Sequence, residues 1–287
     1  MKRNFIYQLI YQLLSLALPL LTTPYLARVL GPEALGTYSY ANATSTFFGL
    51  FILLGVANYG NRVVPMVRDE TDQLWQDFCA IYRIQLLACG LVLLTFLFFL
   101  EGRWQSLLPY FILHLLSIGL DISWLFFGLE EFRLTTLRSI VIRVLSTLAI
   151  FIFVKKAHHL QLYTLIVVLT FLSTSLSLWV YLPRIFGGKK RVPVPWSASL
   201  PHLKGMLLLF VPVLAISTYT TVSKLLLKNL SSAVDVGFYD SVTVMLNVPT
   251  AVVNALGTVT LPKSPTSWPR TEKKLPMLSF ISLSCWP

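Results

Sequence analysis

Residues 157–183 read AHHLQLYTLIVVLTFLSTSLSLWVYLP, and no Asp, Glu, Lys or Arg falls among them. At a rise of about 1.5 Å per residue, such a run covers the ~30 Å hydrocarbon core of a bilayer as one helix. The same freedom from charge recurs at 4–27, 34–61, 84–100, 104–120, 205–223 and 241–262. These runs, with a less apolar one that holds Arg138 and Arg143, predict eight helices near 5–27, 38–58, 79–100, 107–128, 134–154, 160–182, 205–227 and 236–258. The first is too long for a signal peptide and lacks a small-residue cleavage site, so it reads as a span.

Composition agrees. Of 287 residues, 55% are hydrophobic and 12% charged, and the mean hydropathy is +0.71. A soluble domain carries about twice that charged fraction, which excludes an ordinary soluble enzyme, a disordered chain and a disulfide-stapled secreted domain. The fold class is all-α integral membrane.

The net charge is +11, from 23 Lys and Arg against 12 Asp and Glu. In a soluble chain that balance would suggest nucleic acid, but here the basic residues sit mostly between apolar runs and report topology, so no nucleic-acid partner is expected. With the N-terminus cytoplasmic, Lys2, Arg3, Arg62, Arg68, Arg133, Arg138, Arg184, Lys189, Lys190, Arg191 and Lys204 share that side. Arg28, Arg103, Lys155, Lys156, Lys224 and Lys228 take the other, and Arg83 and Arg143 fall within the membrane. The three cysteines (Cys79, Cys89, Cys285) have no metal-ligand spacing and read as packing residues.

Residues 184–204 form a basic linker broken by Gly187, Gly188, Pro193, Pro195 and Pro201, which argues against a helix there. It divides a first six-helix bundle (1–183) from the first two helices of a second (205–262). An internal repeat supports the division. Gly36-Thr37-Tyr38 follows the first span as Gly237-Phe238-Tyr239 follows the seventh, and both spans carry an interior proline, Pro19 and Pro212.

The stretch Thr23-Pro24-Tyr25-Leu26-Ala27-Arg28-Val29-Leu30-Gly31-Pro32, followed by Leu35-Gly36-Thr37-Tyr38, is one of several motifs in order. Others are Gly55 with Asn58-Tyr59-Gly60-Asn61-Arg62, Asp121-Ile122-Ser123-Trp124-Leu125-Phe126-Phe127-Gly128-Leu129-Glu130, Val236-Gly237-Phe238-Tyr239-Asp240 and Leu256-Gly257-Thr258-Val259. From about residue 4 to 262 the chain resembles the polysaccharide (O-antigen and capsule repeat-unit) flippases of the multidrug/oligosaccharidyl-lipid/polysaccharide exporter superfamily. The resemblance implies two six-helix bundles facing a central cavity. It also implies translocation of an undecaprenyl-pyrophosphate-linked oligosaccharide across the bacterial cytoplasmic membrane. Membrane lipids, a polysaccharide polymerase and glycosyltransferases would be the surroundings and working partners.

Ionisable groups inside apolar spans usually face a cavity or a partner, which selects the candidate residues. Arg28 can grip a pyrophosphate bidentately or snorkel to headgroups. Arg143 can line the cavity as a cation or neutralise Asp121. Asp121 and Trp124, three apart on one helical face, offer a carboxylate for proton or sodium coupling and an indole for a sugar ring. A polar packing anchor with an interfacial aromatic is the competing reading. Lys224 and Asp240 pose the same choice in the second bundle, with Lys224 toward phosphate. Asn58 and Arg62 are further candidates, with loop structure as the alternative.

His158 and His159 are adjacent and lack metal-binding spacing. No Walker lysine, nucleophile triad or paired carboxylates in a polar domain is present, so no enzyme, cofactor or metal is expected. Three rivals remain: a cation-coupled multidrug exporter of the same superfamily, a non-transporting membrane fragment or subunit, and, more distantly, a membrane glycosyltransferase.

After Pro262 the pattern collapses into Pro265, Pro269 and Pro276 among Lys263, Arg270, Lys273 and Lys274. Codons permitted from residue 264 onward, read two bases later, encode Ser-His-Ile-Leu-Ala-Lys-Asn-Gly-Glu-Glu, a helix–loop sequence. The expectation is a frameshifted tail (263–287) on a truncated, inactive copy of a longer flippase.

Overall fold

A computed structural model describes residues 2–99, 106–187 and 194–260. The tail at 263–287 and linker residues 188–193 lie outside these. Among the described residues all regular structure is helical. The elements are α1 (Lys2–Val29), α2 (Pro32–Leu53), α3 (Val56–Val67), α4 (Thr71–Phe99), α5 (Leu108–Gly119), α6 (Ser123–Gly128), α7 (Phe132–Phe153), α8 (Leu160–Trp179), α9 (Leu182–Phe186), α10 (Ser199–Leu230) and α11 (Ala233–Thr260).

Each of the eight expected spans corresponds to one helix or to a broken pair. Six helical stretches among the described residues are long and apolar enough to cross a membrane, with a shorter apolar helix at Leu13–Val29. The surface is inverted relative to a soluble protein. Leu87, Leu91, Leu94 and Phe98 of α4 and Leu145, Leu148 and Ile152 of α7 are exposed, as side chains facing lipid are. The chain is an all-α, multi-pass membrane protein.

Two spans are discontinuous. The second breaks where Leu54 and Gly55 take φ of 44° and 76°, ending α2 and starting α3. The fourth breaks at residues 120–122, between α5 and α6. Proline marks several helix starts, where its missing N–H costs nothing: Pro32 opens α2 after Gly31 at φ 82°. The same physics corrects the linker. Pro201 lies in the first turn of α10, so the helix begins at Ser199, within the segment expected to be non-helical.

Call the end that holds the linker the linker end, and the other the distal end. Near the linker end Phe78, Ile81, Trp124, Phe126, Leu178 and Met206 form one apolar cluster. Toward the distal end Ile52, Cys89, Val92, Phe96, Phe111 and Leu115 form another. Leu26, Leu30, Ile150 and Val154 seal α1 against α7, where the Tyr25 hydroxyl donates to the Val154 carbonyl at 2.8 Å.

The repeat noted in the sequence meets itself in space. A Cβ on Gly36 would overlap the Ala233 carbonyl, and one on Gly237 would overlap the Pro32 carbonyl. Pro32 precedes Gly36 by as many residues as Ala233 precedes Gly237, so the contact is self-reciprocal, the mark of a local two-fold. Correspondingly, α10 packs on α2 while α1 packs on α11.

Candidate functional site

A cavity of about 740 Å³ lies among α1, α2, α5, α6, α7, α8 and α11. Its most polar wall is α7. Thr135, Thr136, Ser139, Arg143, Ser146 and Thr147 recur at three- and four-residue intervals and face inward. Leu137, Val141, Leu145, Leu148 and Ile152 occupy the opposite, lipid-facing side. Helix α8 adds Tyr163, Thr170, Thr174 and Ser175, and α1 adds Thr22 and Thr23.

Two guanidiniums enter this hydroxyl-lined space. Arg138 donates to the Thr174 carbonyl, to Ser177 Oγ at 2.9 Å and to Ser139 Oγ at 3.4 Å, which ties α7 to α8. Arg143 donates to Ser15 Oγ at 3.1 Å, which ties α7 to α1. Each keeps a positive charge at the lining of the cavity.

Asp121 reaches the cavity because the backbone breaks there. Its carboxylate accepts from the Ser123 N–H at 3.0 Å and the Ser123 hydroxyl at 2.9 Å. Unwinding a helix inside a membrane strips carbonyls of their partners, and each must find a donor. Gln85, fully buried on α4, supplies most of them. Its Nε2 donates to the carbonyls of Ile118 (3.1 Å), Gly119 (3.2 Å) and Asp121 (2.9 Å). The Trp179 indole N–H takes the Leu120 carbonyl at 2.9 Å.

The sequence-selected residues divide. Asp121, Arg143 and Asp240 line the cavity. Arg28, Asn58 and Arg62 are exposed and line none of it. Lys224 does not line it either, and its ammonium is ion-paired with Asp240. Trp124 corrects the sugar-stacking expectation. It is 2% exposed, packed on Gly60 and against the Phe78 ring at a centroid distance of 5.8 Å. It shares no continuous helical face with Asp121, since the break lies between them. Arg138 and Arg143 both share the cavity with the Asp121 carboxylate.

Arg138, Gln85, Tyr38 and Tyr163 escaped the sequence reading. In the sequence Arg138 reads as one of the cytoplasmic-side topology charges. The hydroxyl stripe on α7, alternating with leucines every three to four residues, was the available signal. Arg83 of α4 donates to the Val194 carbonyl at 2.6 Å and lies over the Trp196 ring at 5.3 Å, holding the approach to α10 against α4. Nearby, Tyr59 of α3 hydrogen-bonds His202 Nδ1 at 2.9 Å, and Asp77 of α4 stands 3.6 Å from His202 Nε2. Among the described residues no three His, Cys, Asp or Glu side chains cluster as metal ligands would.

Comparison with known proteins adds the remaining observation. Residues 1–268 match the family described as polysaccharide biosynthesis protein. A curated protein of Escherichia coli (strain K12), named "Putative O-antigen transporter", is 26% identical over 298 aligned residues, covering 99% of this chain and 70% of that protein. No solved structure matches the chain. A match over that much of the sequence, on a helical membrane bundle enclosing a polar cavity, fixes the assignment: the chain belongs to the polysaccharide biosynthesis protein family.

Proposed function

We propose that the protein is a flippase, a transporter and not an enzyme, that moves an undecaprenyl-pyrophosphate-linked oligosaccharide across the bacterial cytoplasmic membrane with its N-terminus on the cytoplasmic side. The observation that carries this is the pair of guanidiniums, Arg138 and Arg143, set in a wall of serine and threonine hydroxyls inside a lipid-facing bundle. A diphosphate and a hydrated sugar cannot cross hydrocarbon unaided. Guanidinium matches phosphate oxygens in charge and geometry, and hydroxyls replace the water that a sugar must shed. The lipid tail needs no cavity and stays in the bilayer.

The rival, a cation-coupled multidrug exporter of the same superfamily, would be favoured by a carboxylate-rich cavity in place of a basic one. Here Asp121 is bound to Ser123 and shares the cavity with Arg138 and Arg143, and Asp240 is paired with Lys224. That leaves Asp121 as the candidate for proton or sodium coupling. The linker marks the boundary between a six-helix first bundle and the start of a second.

The test is translocation of a lipid-linked oligosaccharide in proteoliposomes by the 287-residue chain. Arg138→Gln and Arg143→Gln should each slow it by about tenfold or more, the loss of one charge-assisted contact to phosphate. Translocation unaffected by both substitutions refutes the headgroup reading.

A further inference from the structure

At the distal mouth of the cavity four polar side chains from four helices converge. Lys224 of α10 is ion-paired with Asp240 of α11, with side-chain exposures of 22% and 34%. The rings of Tyr38 (α2) and Tyr163 (α8) pack edge to face with centroids 4.8 Å apart, and both line the cavity together with Asp240. Asp240, Tyr38 and Tyr163 line the cavity, while Lys224 stands behind Asp240. Less than one turn nearer the distal end, Gly36 and Gly237 bring the backbones of α2 and α11 into contact. The cluster therefore joins the first bundle to both helices that follow the linker.

We propose that Lys224 and Asp240 form a counter-ion gate at the distal mouth, in which a diphosphate group arriving in the cavity displaces Asp240 from Lys224 and frees α11 to swing away from α2. The proposal rests on the anionic-headgroup reading above and adds to it a regulation of the same site. The charge arithmetic favours it. At rest Asp240 neutralises Lys224, so neither charge is stranded in a low-dielectric setting. A diphosphate carries more negative charge than a carboxylate and competes for the same ammonium. Once released, Asp240 faces like charge and is expelled from the mouth. A neutral solute has no charge with which to compete for either partner, and of the two charged classes only an anion takes Lys224 while driving Asp240 away, so the gate responds to the charge of what it admits. The tyrosine pair sets its resting position, because Tyr38 and Tyr163 lie on helices of the first bundle and stay with it.

The test measures accessibility and not transport. Val244, about one turn along α11 and part of the cavity lining, is changed to cysteine in a background where Cys79, Cys89 and Cys285 are replaced. The detergent-purified protein is then reacted with a bulky maleimide. Asp240→Asn and Lys224→Met should each raise the labelling rate by about tenfold, the shift in a two-state equilibrium expected when a part-buried ion pair is lost. Millimolar inorganic pyrophosphate should accelerate labelling of the otherwise unaltered protein, and inorganic sulfate should do so less. The charge-swapped double variant Lys224→Asp with Asp240→Lys keeps the pair and should label slowly, which separates gating from misfolding. Fast labelling of the swapped protein, unchanged labelling in the single variants, or no response to pyrophosphate each overturns the gate. A failure of the headgroup reading would appear instead as translocation indifferent to Arg138 and Arg143, which this labelling does not touch.

Discussion

Gln85 holds the break between α5 and α6, and its replacement by methionine isolates that role. Methionine keeps the length and apolar stem, so packing beside Ile118 changes little, but the three donated hydrogen bonds vanish. A buried hydrogen bond contributes about 0.5–1.5 kcal/mol in soluble proteins, and interhelical bonds within membranes average about 0.6 kcal/mol. The amide nitrogen carries two protons, so the three contacts amount to two full hydrogen bonds, one of them shared, worth about 1–3 kcal/mol. Against this, Gln85 Oε1 is buried and finds no partner among the described residues, and removing it returns about 1 kcal/mol. The carbonyls left without a donor stay buried, so the net expectation is a loss of about 1–2 kcal/mol. The assay is reversible unfolding in mixed micelles as the fraction of denaturing detergent rises, with Trp179→Phe as a comparator. That variant loses the single bond to the Leu120 carbonyl and part of the indole's packing on Tyr82, so it gauges the size of a one-bond loss from above. If Gln85→Met unfolds within about 0.5 kcal/mol of the unmodified protein, water or lipid headgroups must satisfy the carbonyls, and the account of the break fails.

Three further outcomes follow from the same geometry. Gly237→Val should destabilise the bundle by about 1–3 kcal/mol by overpacking against the Pro32 carbonyl, while Gly90→Ala, whose Cβ meets nothing within 4 Å, should be neutral or mildly stabilising; the same unfolding assay reads both. Trp124→Ala should cost about 3–5 kcal/mol of stability, and Trp124→Phe should leave substrate affinity unchanged, since the indole packs on Gly60 and is no part of the lining of the cavity described above. Ser231 and Ser232 donate hydrogen bonds to the Asp235 carboxylate at the start of α11 and hold it below its ordinary value of 3.8. A carboxyl lowered in the folded state stabilises fully above that ordinary value and loses its contribution as pH falls through the folded one. Unfolding curves of Ser231→Ala/Ser232→Ala between pH 5 and pH 2 should therefore show less acid sensitivity than the unmodified chain, by about the share one capping group contributes.

The eight spans were legible because the membrane writes a coarse rule: charge-free runs of span length have one stable solution. Finer features obey local rules that a single sequence under-determines. Pairing Asp121 with Trp124 assumed an unbroken helix, and the break at 120–122 is maintained by Gln85 and Trp179, which lie far away in sequence. Counting Arg138 among the topology charges followed from its place near a helix start. Its long side chain instead turns inward to α8, a choice made by the Thr174 carbonyl and Ser177. Arg28 stays exposed because a guanidinium in the last turn of a helix can reach headgroups without crossing apolar surface. What could have been read directly was the face of α7, where every inward position from Thr135 to Thr147 named above carries a hydroxyl or a guanidinium.

The residues that carry the family resemblance serve packing more than substrate. Gly36 and Gly237 admit each other's backbones, Gly55 lets α10 approach at Met206 and Phe210, Gly60 seats Trp124, and Gly128 meets Val64. Apolar burial drives no association between helices already in lipid, so close van der Waals contact has to supply it, and small residues make such contact available. Helix α2 shows the consequence. Its buried positions are Gly36, Ser39, Ala41, Ala43, Ser45, Gly49 and Ile52, nearly all small, and α4, α5, α10 and α11 all pack on it. A motif built from such contacts constrains the architecture tightly and the cargo hardly at all. On the flippase reading proposed above, the groups placed to distinguish one glycan from another are the hydroxyls of α7 and α8, which line the cavity and lie outside every motif. That is the physical reason the motifs identify a family and leave the cargo to the cavity wall.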